Sequence, residues 1–287
     1  MTTARVTVPA PSAPLTSNGY VLDRRPERLG PLEPVPDGER HDREALRLRL
    51  RRDGYLFLRG ALDPERVRSF RRHYFRALAH TGLRETGPGR TDRAALRHTL
   101  FREIVPGARY REFCEQPAIR DWYAWFLDSP VHLHRRKIIR HLRAGENGIG
   151  TATQAHYDLV YLREGTERVL SSWIPLGDCP LSRGGLVYLE GSHRRVYEEE
   201  RAGVLRRPAA SLTADLPGLA DEYDARWLVA DYAAGDMVVH SAYLVHAALD
   251  NTDPGGVARL STDIRYQRSG DPVDLRWQHD WHPDDGL

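Results

Sequence analysis

Val169-Leu170-Ser171-Ser172-Trp173-Ile174-Pro175-Leu176 is a short apolar, β-prone run, and Gly184-Gly185-Leu186-Val187-Tyr188-Leu189-Glu190-Gly191-Ser192-His193 follows it as a glycine turn, a second short strand and another turn. The pattern repeats outward. Gly235-Asp236 is a turn signal ahead of Met237 to His240, and Asp253-Pro254-Gly255-Gly256 precedes a strand over Ala258 to Tyr266. Upstream, His156-Tyr157-Asp158 runs into Leu159-Val160-Tyr161-Leu162, which reads as a further extended segment. Short apolar strands separated by Gly, Pro and Asp turns argue for an antiparallel sandwich or barrel. The predicted fold is mainly β, in the class of sandwiches and barrels to which jelly rolls and cupins belong.

Helical patterns lie in the N-terminal half and would buttress one face of that barrel. Arg43 to Arg52 is rich in Arg and Leu. Pro64 to Ala79 is better marked: Asp63 can cap it, Pro64 suits its first turn, and Val67, Phe70, Tyr74, Phe75 and Leu78 form an apolar stripe. Residues 81–95 read as a polar loop, and 109–127 as another helical region. Residues 1–40, rich in Pro, Thr, Ser and Arg, read as an extended or poorly ordered arm, leaving 41–287 as a single domain. Residues 194–234 form a long charged connection, read either as a lid over the site or as a surface excursion.

Composition sets bounds. The 287 residues carry 42 basic and 40 acidic side chains, a net charge of +2, which is no footprint for nucleic acid. Lys137 stands alone among the Arg residues, a coding bias of GC-rich bacteria, which often make secondary metabolites. Cys114 and Cys179 are too few for a disulfide framework, and no apolar run reaches membrane-spanning length. The expectation is a cytoplasmic protein that acts on a small molecule, without nucleic-acid or membrane partners.

The chemistry sits at His156 and Asp158. Two residues apart on extended chain, their side chains share a face and can hold one metal ion together. His246, 90 positions on, can supply a third ligand, with His240 as its rival. Two imidazoles and one carboxylate leave coordination positions open, the arrangement of a non-haem Fe(II) oxygenase. A second H-x-D at His282-Pro283-Asp284 reads as a solvated tail, because Pro283 cannot donate to a sheet ladder.

These pieces occur in a recognisable order. His156 and Asp158, Trp173-Ile174-x-Leu176, Gly184 to His193, Gly235-Asp236, Leu244 to Asn251 and an Arg beyond the distal His resemble the phytanoyl-CoA dioxygenase family of Fe(II)/2-oxoglutarate oxygenases. Arg52 to Glu65 is similar to the family's opening strand and helix start, so the likeness spans about residues 50–268. Glu190, Tyr157 and Ala248 depart from the usual family residues. The resemblance implies a double-stranded β-helix of the jelly-roll, cupin-like kind, with Fe(II) on His156, Asp158 and His246 and with 2-oxoglutarate and O2 as cosubstrates. It places the distal carboxylate of 2-oxoglutarate on Arg259, with Arg265 as runner-up. Ser261 shares a strand face with Arg259, Trp173 matches a position lining the cosubstrate pocket, and Arg140 is a further candidate. Retention of Asp158 argues against halogenation. Similar enzymes include the oxygenases that close orthoester rings on oligosaccharide antibiotics, and a sugar or aminocyclitol substrate is the expectation. Two other readings stay open: a cupin-like metal-dependent isomerase or hydrolase without 2-oxoglutarate, and a non-catalytic binding protein.

Overall fold

A computed structural model describes residues 14–87, 89–145, 152–203 and 211–285. Its strands are β1 (Thr16–Ser17), β2 (Tyr20–Val21), β3 (Leu29–Pro31), β4 (Tyr55–Leu58), β5 (Val131–Leu133), β6 (Ile138–Leu142), β7 (Leu170–Pro175), β8 (Leu186–Leu189), β9 (Trp227–Val229), β10 (Met237–Ser241), β11 (His246–Ala248) and β12 (Arg259–Arg268). The α-helices are α1 (Arg43–Asp53), α2 (Pro64–Leu78), α3 (Arg93–Thr99), α4 (Ala108–Cys114), α5 (Pro117–Leu127), α6 (Ser192–Arg201) and α7 (Leu216–Tyr223). The larger sheet runs β4-β10-β7-β12-β5, with β6 also on β12, and its pairings are antiparallel. The smaller sheet runs β11-β8-β9-β3. Two mainly antiparallel sheets with helices against the larger one make the expected jelly roll.

The period of two in the central strands explains the layering. On β7, Ser172 and Ile174 face the helices, and Tyr123 of α5 meets the Ser172 hydroxyl at 2.7 Å. On β12, Thr262 and Tyr266 face the same way, meeting Tyr110 at 2.6 Å and the Cys114 carbonyl at 3.0 Å. The alternate residues Ser171 and Trp173, and Arg259, Ser261, Asp263 and Arg265, face into the barrel. The helix-facing side is buried, its hydroxyls paired with the helices, while the inner face carries the charged residues because the interior must hold a polar site.

The helices form where capping and stripe predict them. Asp63 caps α2 by accepting from the Glu65 N–H at 2.9 Å. Val67, Phe70, Tyr74, Phe75 and Leu78 are all buried, and Phe70 stacks on Tyr110 and Phe113. Each such side chain contributes roughly 1.5–3 kcal/mol of burial. Gly54 ends α1 with φ 80°. A Cβ there would lie 2.6 Å from His193 Nδ1, so both conformation and space demand glycine.

Several expectations need correction. Residues 14–40 are packed rather than poorly ordered: Leu15, Leu22, Leu29, Leu32 and Val35 are buried, and β3 adds an edge to the smaller sheet. Residues 1–13 lie outside the described residues. The region 109–127 is two helices, because Pro117 cannot donate within the first and opens the second. The polar loop at 81–95 ends early, with Asp92 capping α3. The 194–234 connection carries α7 and most of α6, and it carries β9, which pairs with β8 and β3 as a barrel strand. Residues 204–210 of it lie outside the described residues. Leu159 to Leu162 is not extended: Asp158–Val160 is one turn of 3-10 helix.

Candidate active site

His156, Asp158 and His246 form a cluster in which one ligand atom from each lies within 4.8 Å of the others, all three buried. Tyr157 is extended (φ −123°, ψ 150°), and the chain then tightens into the Asp158 turn. The two ligands therefore converge through a strand-to-turn step rather than along one strand. The His156 and His246 rings lie 4.3 Å apart, centroid to centroid.

Both imidazoles are held the same way. His156 Nδ1 is 2.8 Å from the Gln154 carbonyl, and His246 Nδ1 is 2.9 Å from the Leu244 carbonyl. A carbonyl only accepts, so each Nδ1 carries the proton and each Nε2 lone pair is free for a metal. Burial keeps both rings neutral. It pushes the His156 pKa down to about 4, against opposing contributions from Asp158 and the Gln154 carbonyl. His246 is driven well below its ordinary value by burial and by its His neighbours. Burial would raise the Asp158 pKa, but the Arg265 guanidinium, with His240 and His246, holds it well below the usual carboxylate range. Two neutral imidazoles and one carboxylate, in those protonation states, are a donor set that fits Fe(II).

A cavity beside the cluster is lined by His156 and His246 and by Arg140, Trp173, Arg259, Ser261, Asp263 and Arg265. The four residues named from sequence as cosubstrate contacts therefore share one cavity with two of the metal ligands. Arg259 is buried, its Nε has no hydrogen-bond partner, and among the described residues it has no carboxylate partner. Burial lowers its pKa, partly offset by Cys179 and Asp263. Trp173 is buried edge-on to Tyr232 at 4.7 Å, so it is both core and cavity wall. Arg140 on β6 sits directly opposite Ser261 on β12 and lies 5.6 Å over the Trp281 ring.

The rivals separate. Arg265 donates from Nη2 to Asp158 Oδ1 at 2.7 Å. His240 stays outside the cluster, with Nε2 3.4 Å from Asp158 Oδ2. Sequence reading missed Asp263, Ser171 and the service of Arg265 to Asp158. Strict alternation along β12, with Arg, Ser, Asp and Arg at every second position, was the signal for the first and last. The departures from the family pattern are accommodated: Glu190 takes two 2.7 Å hydrogen bonds from Arg226, and the Tyr157 hydroxyl donates to Glu200 at 2.6 Å. His282 and Asp284 are exposed, as a solvated tail should be.

Comparison with known proteins agrees with this site. The family described as phytanoyl-CoA dioxygenase (PhyH) matches residues 50–259. The 1-deoxypentalenic acid 11-beta-hydroxylase of Streptomyces arenae is 26% identical over 234 residues, covering 79% of this chain and 81% of its own. Among solved structures, the non-haem alpha-ketoglutarate-dependent carbocyclase of nogalamycin biosynthesis superposes with a TM-score of 0.60 at 22% identity, covering 89% of this chain and 92% of the other. The epimerase of the same biosynthesis gives 0.56 at 23%, covering 85% and 91%. These two structural likenesses carry the fold. The family match spans most of the chain, in the order of motifs that builds the metal cluster: the chain belongs to the phytanoyl-CoA dioxygenase (PhyH) family and is a non-haem Fe(II)/2-oxoglutarate-dependent dioxygenase.

Proposed function

We propose that this enzyme oxidises a C–H bond of a small, polar secondary metabolite, by hydroxylation or by oxidative ring closure. The observation that carries the reading is Arg259: buried, without a carboxylate partner among the described residues, and lining the same cavity as two of the metal ligands. A buried cation without an anion is costly unless a ligand supplies one. A metal-dependent isomerase or hydrolase would need such a residue only for an anionic substrate, whereas the family to which the chain belongs brings its own anion, 2-oxoglutarate, so the cosubstrate reading is preferred.

His156, Asp158 and His246 would hold Fe(II). When bound, Fe(II) would let O2 act as the oxidant, taking two electrons from 2-oxoglutarate, which leaves as succinate and CO2, and two from the substrate C–H bond. The chain's own part is placement. The planar fork of Arg259 suits the distal carboxylate of 2-oxoglutarate, and the Ser261 hydroxyl on the same strand face adds a donor. Trp173 closes the wall beside them and excludes water.

The rest of the cavity favours a hydroxyl-bearing substrate. Arg140 and Asp263 face it, and neither side chain makes a hydrogen bond among the described residues, although each feels the other's charge. A hydroxyl can accept from one and donate to the other, which an acyl chain cannot. A sugar or aminocyclitol fits this wall. The curated relative hydroxylates 1-deoxypentalenic acid, and the two structural neighbours come from nogalamycin biosynthesis, which supports a place in secondary metabolism. The cytoplasm, with its supply of 2-oxoglutarate and reduced iron, is the compartment this reading implies.

The test has two stages. Anaerobic titration with Fe(II) and 2-oxoglutarate should raise a weak visible charge-transfer band. Panels of glycosides, terpenoid acids, amino acids and acyl-CoAs should then be scored for succinate release coupled to substrate loss. Absence of the band would sink the cosubstrate reading. Coupled turnover of an acyl-CoA, with none on any glycoside, would sink the hydroxyl-rich substrate.

A further inference from the structure

Three residues in one cross-strand row surround the Asp158 carboxylate. His240 on β10 stands directly opposite Ser171 on β7, and Ser171 directly opposite Arg265 on β12. Directly opposed residues of neighbouring strands share a face, so the row points as one into the barrel. Arg265 Nη2 donates to Oδ1 at 2.7 Å, the Ser171 hydroxyl donates to Oδ2, and His240 Nε2 lies 3.4 Å from Oδ2. Asp158 is fully buried and hangs from a single helical turn, so ladder bonds of its own strand do not fix it. Arg265 is itself fixed, its guanidinium 4.5 Å over the buried Trp277 ring.

We propose that Arg265 and the Ser171 hydroxyl orient Asp158 as a metal ligand, with Arg265 as the principal positioning residue. This rests on the metal centre proposed above. An ionised carboxylate has about four lone-pair sites on two oxygens. Arg265 takes one on Oδ1 and Ser171 one on Oδ2. With each oxygen tied to a donor on a different strand, rotation of the carboxylate is restrained, and a lone pair is left on each oxygen for the metal. Arg265 thereby has a carboxylate partner in the metal ligand, which Arg259 lacks among the described residues.

The experiment uses the full chain and Co(II) as a spectroscopic substitute for Fe(II). Calorimetry gives the Co(II) Kd, and visible spectra report the geometry of the bound ion. Arg265→Gln should weaken Co(II) binding roughly 10- to 100-fold, the usual effect of removing a partner that orients a metal ligand, and should alter the Co(II) bands. Arg265→Lys should recover part of the affinity. Ser171→Ala keeps the cation, should weaken Co(II) binding less, and should melt near the wild-type temperature without metal. It therefore carries the test if Arg265→Gln does not fold. Unchanged Co(II) affinity and spectrum in the folded variants would overturn the proposal. So would an Arg265→Gln protein that binds Co(II) normally but loses 2-oxoglutarate. A wild-type protein that takes up no Co(II) would instead defeat the metal-centre reading, and the row's role with it.

Discussion

His156 and His246 exchange both backbone hydrogen bonds, at 3.0 and 2.9 Å, so two ligands 90 positions apart in sequence are a directly opposed antiparallel pair. The spacing of their rings is set by the sheet ladder and not by the side chains. Truncating either ring leaves that ladder in place. His156→Ala and His246→Ala should each abolish turnover and metal uptake while melting close to the wild-type temperature. Asp158→Ala should differ. It strands Arg265 in the interior without its carboxylate, which should cost roughly 3–5 kcal/mol in addition to activity. Parallel melting curves and Co(II) titrations check both statements. An active His246→Ala protein beside an inactive His240→Ala protein would exchange the roles of those two residues.

Arg259 gives a prediction whose sign separates a ligand anchor from a structural arginine. A charge-assisted contact with 2-oxoglutarate is worth roughly 1.5–3 kcal/mol. Arg259→Ala should therefore raise the 2-oxoglutarate KM roughly 10- to 100-fold with Co(II) affinity little changed. Without ligand, Arg259 is a buried cation lacking a carboxylate partner among the described residues, and burial already lowers its pKa. Its removal should leave the ligand-free melting temperature unchanged or raised. A marked fall in that temperature with normal 2-oxoglutarate binding would make Arg259 a structural residue.

The sequence carried the ligands because their spacing and surroundings are local: H-x-D in front of a β-prone run, and a second His inside a strand-turn-strand pattern. Arg259 was singled out only by the resemblance, while the place of Ser261 on the same strand face was readable from the period of two. Asp158 was misplaced onto a strand because an apolar run of Leu159 to Leu162 has no intrinsic mark distinguishing a strand from a buried turn. Strand β9 was hidden in a charged stretch, since Trp227–Val229 is three residues long and gains its pairing from β8 and β3, far away in the chain. The row behind Asp158 could not be read at all. His240, Ser171 and Arg265 become neighbours only through the register of three strands, and register depends on pairing that no single segment encodes.

Stability should fall in mild acid, and His134 supplies part of the reason. Its ring is buried, with Nε2 2.7 Å from Gln267 Oε1 and Nδ1 3.2 Å from Gln278 Nε2. Burial pushes its pKa down to about 4, opposed by the Gln267 bond. The folded pKa thus lies below the unfolded value near 6.5. Between the two the unfolded chain binds more protons, so stability rises with pH across this window and is lost as pH falls through it. The full span corresponds to roughly 3 kcal/mol. Urea midpoints measured from pH 7 to pH 4.5 should decline, and His134→Gln should flatten the decline. An identical pH slope in the variant would remove His134 from the account.

Arg71 ties the helical layer to the strand ends that frame the cosubstrate cavity. From α2 its Nη1 donates to the Leu176 carbonyl at 3.1 Å, just past β7, and its Nη2 donates to the Ala258 carbonyl at 2.7 Å, the residue before Arg259. Its Nε is held 2.7 Å from Glu85, and its guanidinium lies 5.0 Å over Phe75. The fork therefore spans two strands at once, which the single ammonium of Lys cannot reproduce. Arg71→Ala leaves two interior carbonyls without this donor and should cost roughly 2–4 kcal/mol. Because the second carbonyl immediately precedes Arg259, the same change should also weaken 2-oxoglutarate binding, while His156, Asp158 and His246 still bind Co(II). Arg71→Lys should fall between wild type and Arg71→Ala on both counts. Urea midpoints and 2-oxoglutarate titrations of the two variants check this, and an unchanged midpoint for Arg71→Ala would show that the strand ends hold without the clamp.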